Sequence, residues 1–170
     1  ASYYWKAHFV PHPEIMGAVG MKLVVFSKYR IDSATRHQLP LIPESTLRQQ
    51  FNLKRAALVT RLPVKGNGDF VVLHTHLSAF AQGTNTLARQ VEAVKALLDG
   101  WSANATPWIA GGDFNLLPPG RAYQRLSRQQ KRAYRPQSQI KPLFDNYRAV
   151  PGLADIYSGD AEKWYTHFPN

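Results

Sequence analysis

The sequence predicts a mixed α/β (α+β) fold with helices packed on sheet. Strand-like runs crowd the first half of the chain, and one clear amphipathic helix crosses between two of them. The composition, 44% hydrophobic and 19% charged over 170 residues, is that of a globular chain able to bury a core. No internal repeat or low-complexity linker divides it, so residues 1–170 are read as a single domain.

The first strand is expected at residues 21–26 (Met-Lys-Leu-Val-Val-Phe), entered from Gly17-Ala-Val-Gly20. Residues 33–52 are polar and proline-punctuated without a period, and are read as loop with at most a short helical turn. Residues 56–62 and 70–76 are two further strands, and the turn chemistry of Lys65-Gly-Asn-Gly-Asp69 between them predicts an antiparallel hairpin. Behind the N-cap candidates Thr84, Asn85 and Thr86, the residues Leu87, Val91, Val94 and Leu98 recur at helical spacing, with Gly100 as the stop. A short apolar strand over residues 107–110 runs into Gly111-Gly112. Residues 121–134 have the makings of a basic helix, and the aromatic, turn-rich tail from Asp145 has room for a short strand.

Charge and composition exclude several classes of function. With no cysteine, the chain has no disulfide, thiolate zinc site or cysteine nucleophile. No apolar run approaches the roughly 18 residues of a membrane span, and the start of the chain has no signal-peptide pattern, so the expectation is a soluble chain without a transmembrane segment, whether cytoplasmic or exported. The net charge of +10 favours phosphate-bearing partners or an anionic surface. That charge is uneven. Arg121, Arg125, Arg128, Lys131, Arg132, Arg135 and Lys141 fall between Phe114 and Phe144, where no acidic residue occurs. The stretch reads either as a solvated basic surface or as a rim that steers an anionic substrate.

Two motifs carry candidate chemistry. In Gly111-Gly112-Asp113-Phe114-Asn115, an extended chain would turn Asp113 and Asn115 the same way and Phe114 the other, while the glycines permit a bend or close backbone approach. An Asp can orient or deprotonate a water or hold a hard cation, and an Asn can donate to a phosphoryl oxygen without adding negative charge. Spacing alone leaves a second reading open, an Asx-type turn capping the strand. In His74-Thr75-His76-Leu77 the two histidines share one strand face. They read as metal ligands, or as one catalytic His with a supporting neighbour. The Leu77-Ser78-Ala79 that follows lacks the Asp and further His of a His-x-His zinc hydrolase.

The order of these motifs resembles the endonuclease/exonuclease/phosphatase superfamily. The resemblance rests on Val72-Leu-His-Thr-His-Leu77 and Gly112-Asp-Phe-Asn115, with weaker agreement at Gly20 to Ile31, at Gly152-Leu-Ala-Asp155 and at Tyr165-Thr-His167. It implies a four-layer α/β/β/α sandwich of two mostly antiparallel sheets with outer helices. It implies a Mg2+ or Mn2+ cofactor and attack by water on a phosphodiester or phosphomonoester. Carried over by motif, Asp113 would orient the water, Asn115 would hold the phosphate or, with Asp113, a metal, and His76 would stabilise the transition state. His74 receives no family role and is read as structural. The substrate would be a nucleic acid, a phospholipid or a sugar phosphate, and no feature marks an obligate protein partner.

The chain departs from the family pattern at both ends. The family's early Asn and its principal metal-ligating Glu have no counterpart, since Glu14 sits in the loop-like Pro11-His-Pro-Glu14; the terminal Ser-Asp-His segment is also missing. The expectation is therefore an incomplete domain with little activity and weak Mg2+ affinity of its own. A basic nucleic-acid-binding module using residues 121–141 with Tyr123 and Tyr134, or a non-catalytic scaffold, are the competing readings.

Overall fold

A computed structural model describes residues 3–8, 22–51, 53–66, 68–79, 81 and 83–164. Two compact units divide the chain, Ala1–Asn115 and Leu116–Asn170. Gly17–Gly20, Met21, Glu14, Asn67 and Tyr165–His167, which entered the sequence reading, lie outside the described residues.

The first unit is built on two sheets. Strands β1 (Tyr3–His8) and β2 (Lys22–Ser27) form an antiparallel pair. A four-stranded sheet has the order β3 (Ser33–Gln38), β4 (Ala56–Val64), β5 (Gly68–His76), β6 (Trp108–Asp113). Its first two pairings are antiparallel and the last is parallel. The expected hairpin is β4–β5, closed by Gly66 and Gly68 at φ +83° and +74°. Glycine alone visits that region without steric cost, which is why the turn is glycine-rich.

Both faces of the hairpin are used. Leu58 and Ala56 of β4 join Leu23 of β2 in a buried cluster, flanked by Val25, Ala34 and Leu53, so one face packs on the two-stranded sheet. Val71, Leu73 and Thr75 point the other way and are at most 1% exposed. Helix α2 (Thr86–Ala103) covers that side with the predicted stripe Leu87, Val91, Val94 and Leu98, all buried. Its Gln90, fully buried, accepts from the Ser78 N–H (2.9 Å) and donates to the Ser78 hydroxyl (2.9 Å) and the Pro40 carbonyl (2.7 Å). Such a satisfied polar plug fixes helix against sheet without leaving an orphaned amide. The expected mixed α/β architecture is thus observed, in the order helix, sheet, sheet.

The details depart from expectation in four places. Residues 33–38 are a strand, not loop; β3 is a largely exposed sheet edge, so no burial pattern marks its sequence. The short helical turn allowed for this stretch is helix α1 (Thr46–Phe51). Helix α2 runs through Gly100 to Ala103, and the Asn104 side chain donates to the Gly100 carbonyl (2.7 Å). An exposed glycine costs a helix only about 1 kcal/mol, too little to end one whose stripe is already buried.

In the second unit the basic helix does not form. Residues 121–134 hold only two 3-10 turns, Tyr123–Arg125 and Gln130–Arg132, because the segment lacks an apolar stripe that packing would reward. The organising side chain is Tyr157. Its hydroxyl donates to the Pro119 carbonyl (2.6 Å) and accepts from the Ala122 N–H (3.1 Å), and its ring lies where a Cβ at Gly120 would stand. The described part of the tail is helical, α3 (Lys141–Asn146) and α4 (Leu153–Ile156), and the short strand expected there is absent among the described residues. No described helix is long and apolar enough to cross a membrane.

Candidate active site

Parallel pairing of β5 with β6 brings two strand ends to the same edge. Its register sets Thr75 beside Gly112 and His76 beside Asp113. Gly112 makes that pairing possible: at φ +138°, a Cβ there would lie 1.8 Å from the Thr75 carbonyl oxygen. Gly111 has nothing within 4 Å of its missing Cβ. Of the two glycines, only Gly112 is demanded by a close backbone approach.

His76 Nε2 stands 3.6 Å from Asp113 Oδ2, with the His side chain 26% exposed and the Asp 61%. The chain does not continue extended past Asp113. Asn115 takes a left-handed φ of 51°, and its N–H donates to Asp113 Oδ1 (2.9 Å). Asn tolerates that backbone better than most residues. The expectation that Asp113 and Asn115 face the same way along an extended strand is therefore corrected: an Asx turn folds one onto the other. The Asn115 side-chain amide donates to the Leu77 carbonyl (2.9 Å), and the Leu77 N–H donates to the Asp113 carbonyl (2.9 Å). The ends of β5 and β6 are tied together by these bonds.

One residue of the site escaped sequence reasoning. Arg55 directly precedes β4, whose first residue, Ala56, follows on from the pairing of Ala57 with Thr75 and so falls at the His76 end of β5. Arg55 is 7% exposed, and burial lowers its pKa while the Asp113 carboxylate opposes that shift. Its signal in the sequence was slight: an arginine abutting the apolar run Ala56-Ala-Leu-Val59 sits at the end of a buried strand, where a charge needs a partner.

Burial pushes the His76 imidazole below its usual 6.5. Arg55 acts in the same direction, Asp113 opposes, and His74 adds a smaller lowering. His74 is lowered by burial as well, against a hydrogen bond to the Val24 backbone. That bond reaches from β5 to β2, so His74 ties the two sheets together. Both imidazoles are neutral at pH 7. In the unfolded chain each binds its proton near 6.5, and in the folded chain only at lower pH. Below about 6.5 the unfolded state then holds more protons, so stability present above that pH is lost as pH falls through the folded values. Thermal unfolding is expected to shift to lower temperature as pH falls below about 6.5, and His74→Gln to flatten that slope. A profile equally steep in His74→Gln would exclude His74 as its source.

A divalent cation is implied by the resemblance, and the donors here can be weighed against it. Among the described residues no group of three or more His, Asp or Glu side chains could hold a metal. Asp113 supplies one carboxylate, with Oδ1 already accepting the Asn115 N–H. One carboxylate makes no all-protein cage, so an ion here would depend on water and phosphate oxygens for the rest of its shell.

Several solved structures are similar in part. The human Nocturnin catalytic domain with bound sulfate is 18% identical, with 74% of this chain and 47% of that chain covered at a TM-score of 0.48. A protein from Beutenbergia cavernae named as an endonuclease/exonuclease/phosphatase is 27% identical, with 66% and 29% covered at 0.45. TDP2 from Caenorhabditis elegans is 16% identical, with 74% and 33% covered at 0.48. The chain thus spans less than half the length of each. No protein-family model and no curated protein matches it.

Proposed function

We propose that this chain is one incomplete domain, residues 1–170, of a metal-dependent phosphoester hydrolase of the endonuclease/exonuclease/phosphatase type. The observation that carries the reading is the placement of His76 and Asp113 across from one another at the ends of adjacent parallel strands, 3.6 Å apart. Strand ends are where a rigid sheet presents side chains to a ligand, and a half-exposed carboxylate beside a neutral imidazole is a pair with complementary proton roles.

In this reading Asp113 Oδ2 orients the attacking water, because Oδ1 is held by the Asn115 N–H. The neutral His76 ring donates an N–H to a phosphoryl oxygen as charge builds there. Asn115 keeps one amide hydrogen on the Leu77 carbonyl and offers the other to the phosphate. Arg55 adds positive potential behind the pair. A bound Mg2+ or Mn2+, held by Asp113 and Asn115, would supply further charge neutralisation at the phosphate.

The direct test is hydrolysis of p-nitrophenyl phosphate and bis(p-nitrophenyl) phosphate by the complete protein to which this domain belongs, with Mg2+, Mn2+ and chelator arms, the 170 residues alone being expected to turn over little. Cleavage of either ester that depends on the cation is the expected result. Absence of turnover on both, and on nucleic-acid, phospholipid and sugar-phosphate substrates, would defeat the hydrolase reading.

A further inference from the structure

The second unit carries a charge arrangement that the hydrolase reading leaves unused. Arg121 and Arg125 both lie over the Tyr157 ring, their guanidinium carbons 5.7 and 5.2 Å from its centroid. The ring cannot drift, since its hydroxyl is bonded on both sides to the 119–122 backbone. An arginine stacked on an aromatic face keeps its N–H edges for a partner and has already lost much of its rotamer freedom. Arg128 and Arg132 follow in the same segment, and all four arginines are exposed. None of the ion pairs among the described residues involves any of them.

Two like charges held over one ring, in no ion pair among the described residues, repel each other, so the pair is stabilised when an anion spans it. The segment also argues for the kind of anion. Insertion into a membrane interface buries large apolar side chains beside the cations. Residues 121–135 contain none of the molecule's exposed large hydrophobics. A run of spaced phosphates suits four exposed arginines spread along a segment with no exposed large apolar side chain. Tyr123, a candidate stacking platform on sequence grounds, lies under Lys131, whose Nζ is 5.6 Å from the ring centroid. Recognition through the backbone is favoured over base stacking.

We propose that the arginine face of residues 121–135 binds the phosphodiester backbone of nucleic acid, with Arg121 and Arg125 on Tyr157 as its anchor. The surface requires no turnover and no metal, so it stands or falls separately from the hydrolase reading.

The test is fluorescence anisotropy of a labelled mixed-sequence single-stranded oligonucleotide with the full chain, in chelator, across a salt series. Arg121→Ala/Arg125→Ala is expected to weaken binding about tenfold and to reduce the log–log salt slope by about 1.4, the share of two phosphate contacts. Arg121→Lys/Arg125→Lys, which keeps the charge and guards against loss of folding, is expected to keep the slope and lose affinity by a few fold. Lys28→Ala/Lys65→Ala removes the same charge from the first unit and is expected to leave the slope unchanged. Equal losses in the two alanine pairs would reduce the effect to net charge and overturn the proposal. Binding to anionic phosphatidylserine vesicles without binding to the oligonucleotide would also overturn it, as would no binding at all.

Discussion

Gly112→Ala is expected to unfold the chain or leave it close to its threshold. The new methyl would stand 1.8 Å from the Thr75 carbonyl oxygen, 2.8 Å from its carbon and 3.0 Å from the Thr75 nitrogen, all of them backbone atoms of a buried strand. No rotamer change relieves such a contact. The alternatives are to part β5 from β6 or to move φ away from +138°, a value L-residues rarely adopt. Strain and overpacking together cost about 2–6 kcal/mol, against a total domain stability of about 5–15 kcal/mol. Gly111→Ala is the control: with open space at its Cβ, it should alter stability by less than about 1 kcal/mol. Urea unfolding of both variants decides the matter. A Gly112→Ala protein as stable as the parent would mean that the strands do not approach so closely. The effect bears on the site as well, because Gly112 sets the register that puts Asp113 beside His76.

The parts of this fold that could be read from sequence are those where burial is periodic. The stripe Leu87, Val91, Val94, Leu98 and the glycine-bounded hairpin announce themselves because one face is apolar and the turn demands glycine. Strand β3 gave no such sign, since an edge strand bonded on one side only to β4 has little reason to alternate. At 121–134 the error ran the other way: helix-compatible residues were present, but no buried face rewards a helix there. At the site, spacing picked out His76, Asp113 and Asn115 but assumed an extended chain between the last two. The left-handed turn at Asn115 is tied to the Leu77 carbonyl, contributed by a residue just past β5 and 38 positions earlier. Arg55 was illegible for the same reason: its relation to His76 and Asp113 exists only after three strands have paired.

If the proposed chemistry is right, turnover of a phosphodiester by the native protein should fall about a hundredfold to a thousandfold in Asp113→Asn and in His76→Ala. Asp113→Asn is the sharper probe. An Asn at this position keeps a side-chain oxygen to accept the Asn115 N–H, so the Asx turn survives while the charge that orients water is gone. His76→Gln restores an N–H donor without a ring and should recover part of the loss if the imidazole acts as a hydrogen-bond donor, and none if it must exchange a proton. Because the two groups face each other and would act on one reacting centre, the double variant should lose far less than the product of the single losses. Multiplicative losses would mean that the two side chains work independently. Single variants within threefold of the parent, folded by circular dichroism, would remove His76 and Asp113 from the reaction and with them the reason to place its chemistry at the ends of β5 and β6.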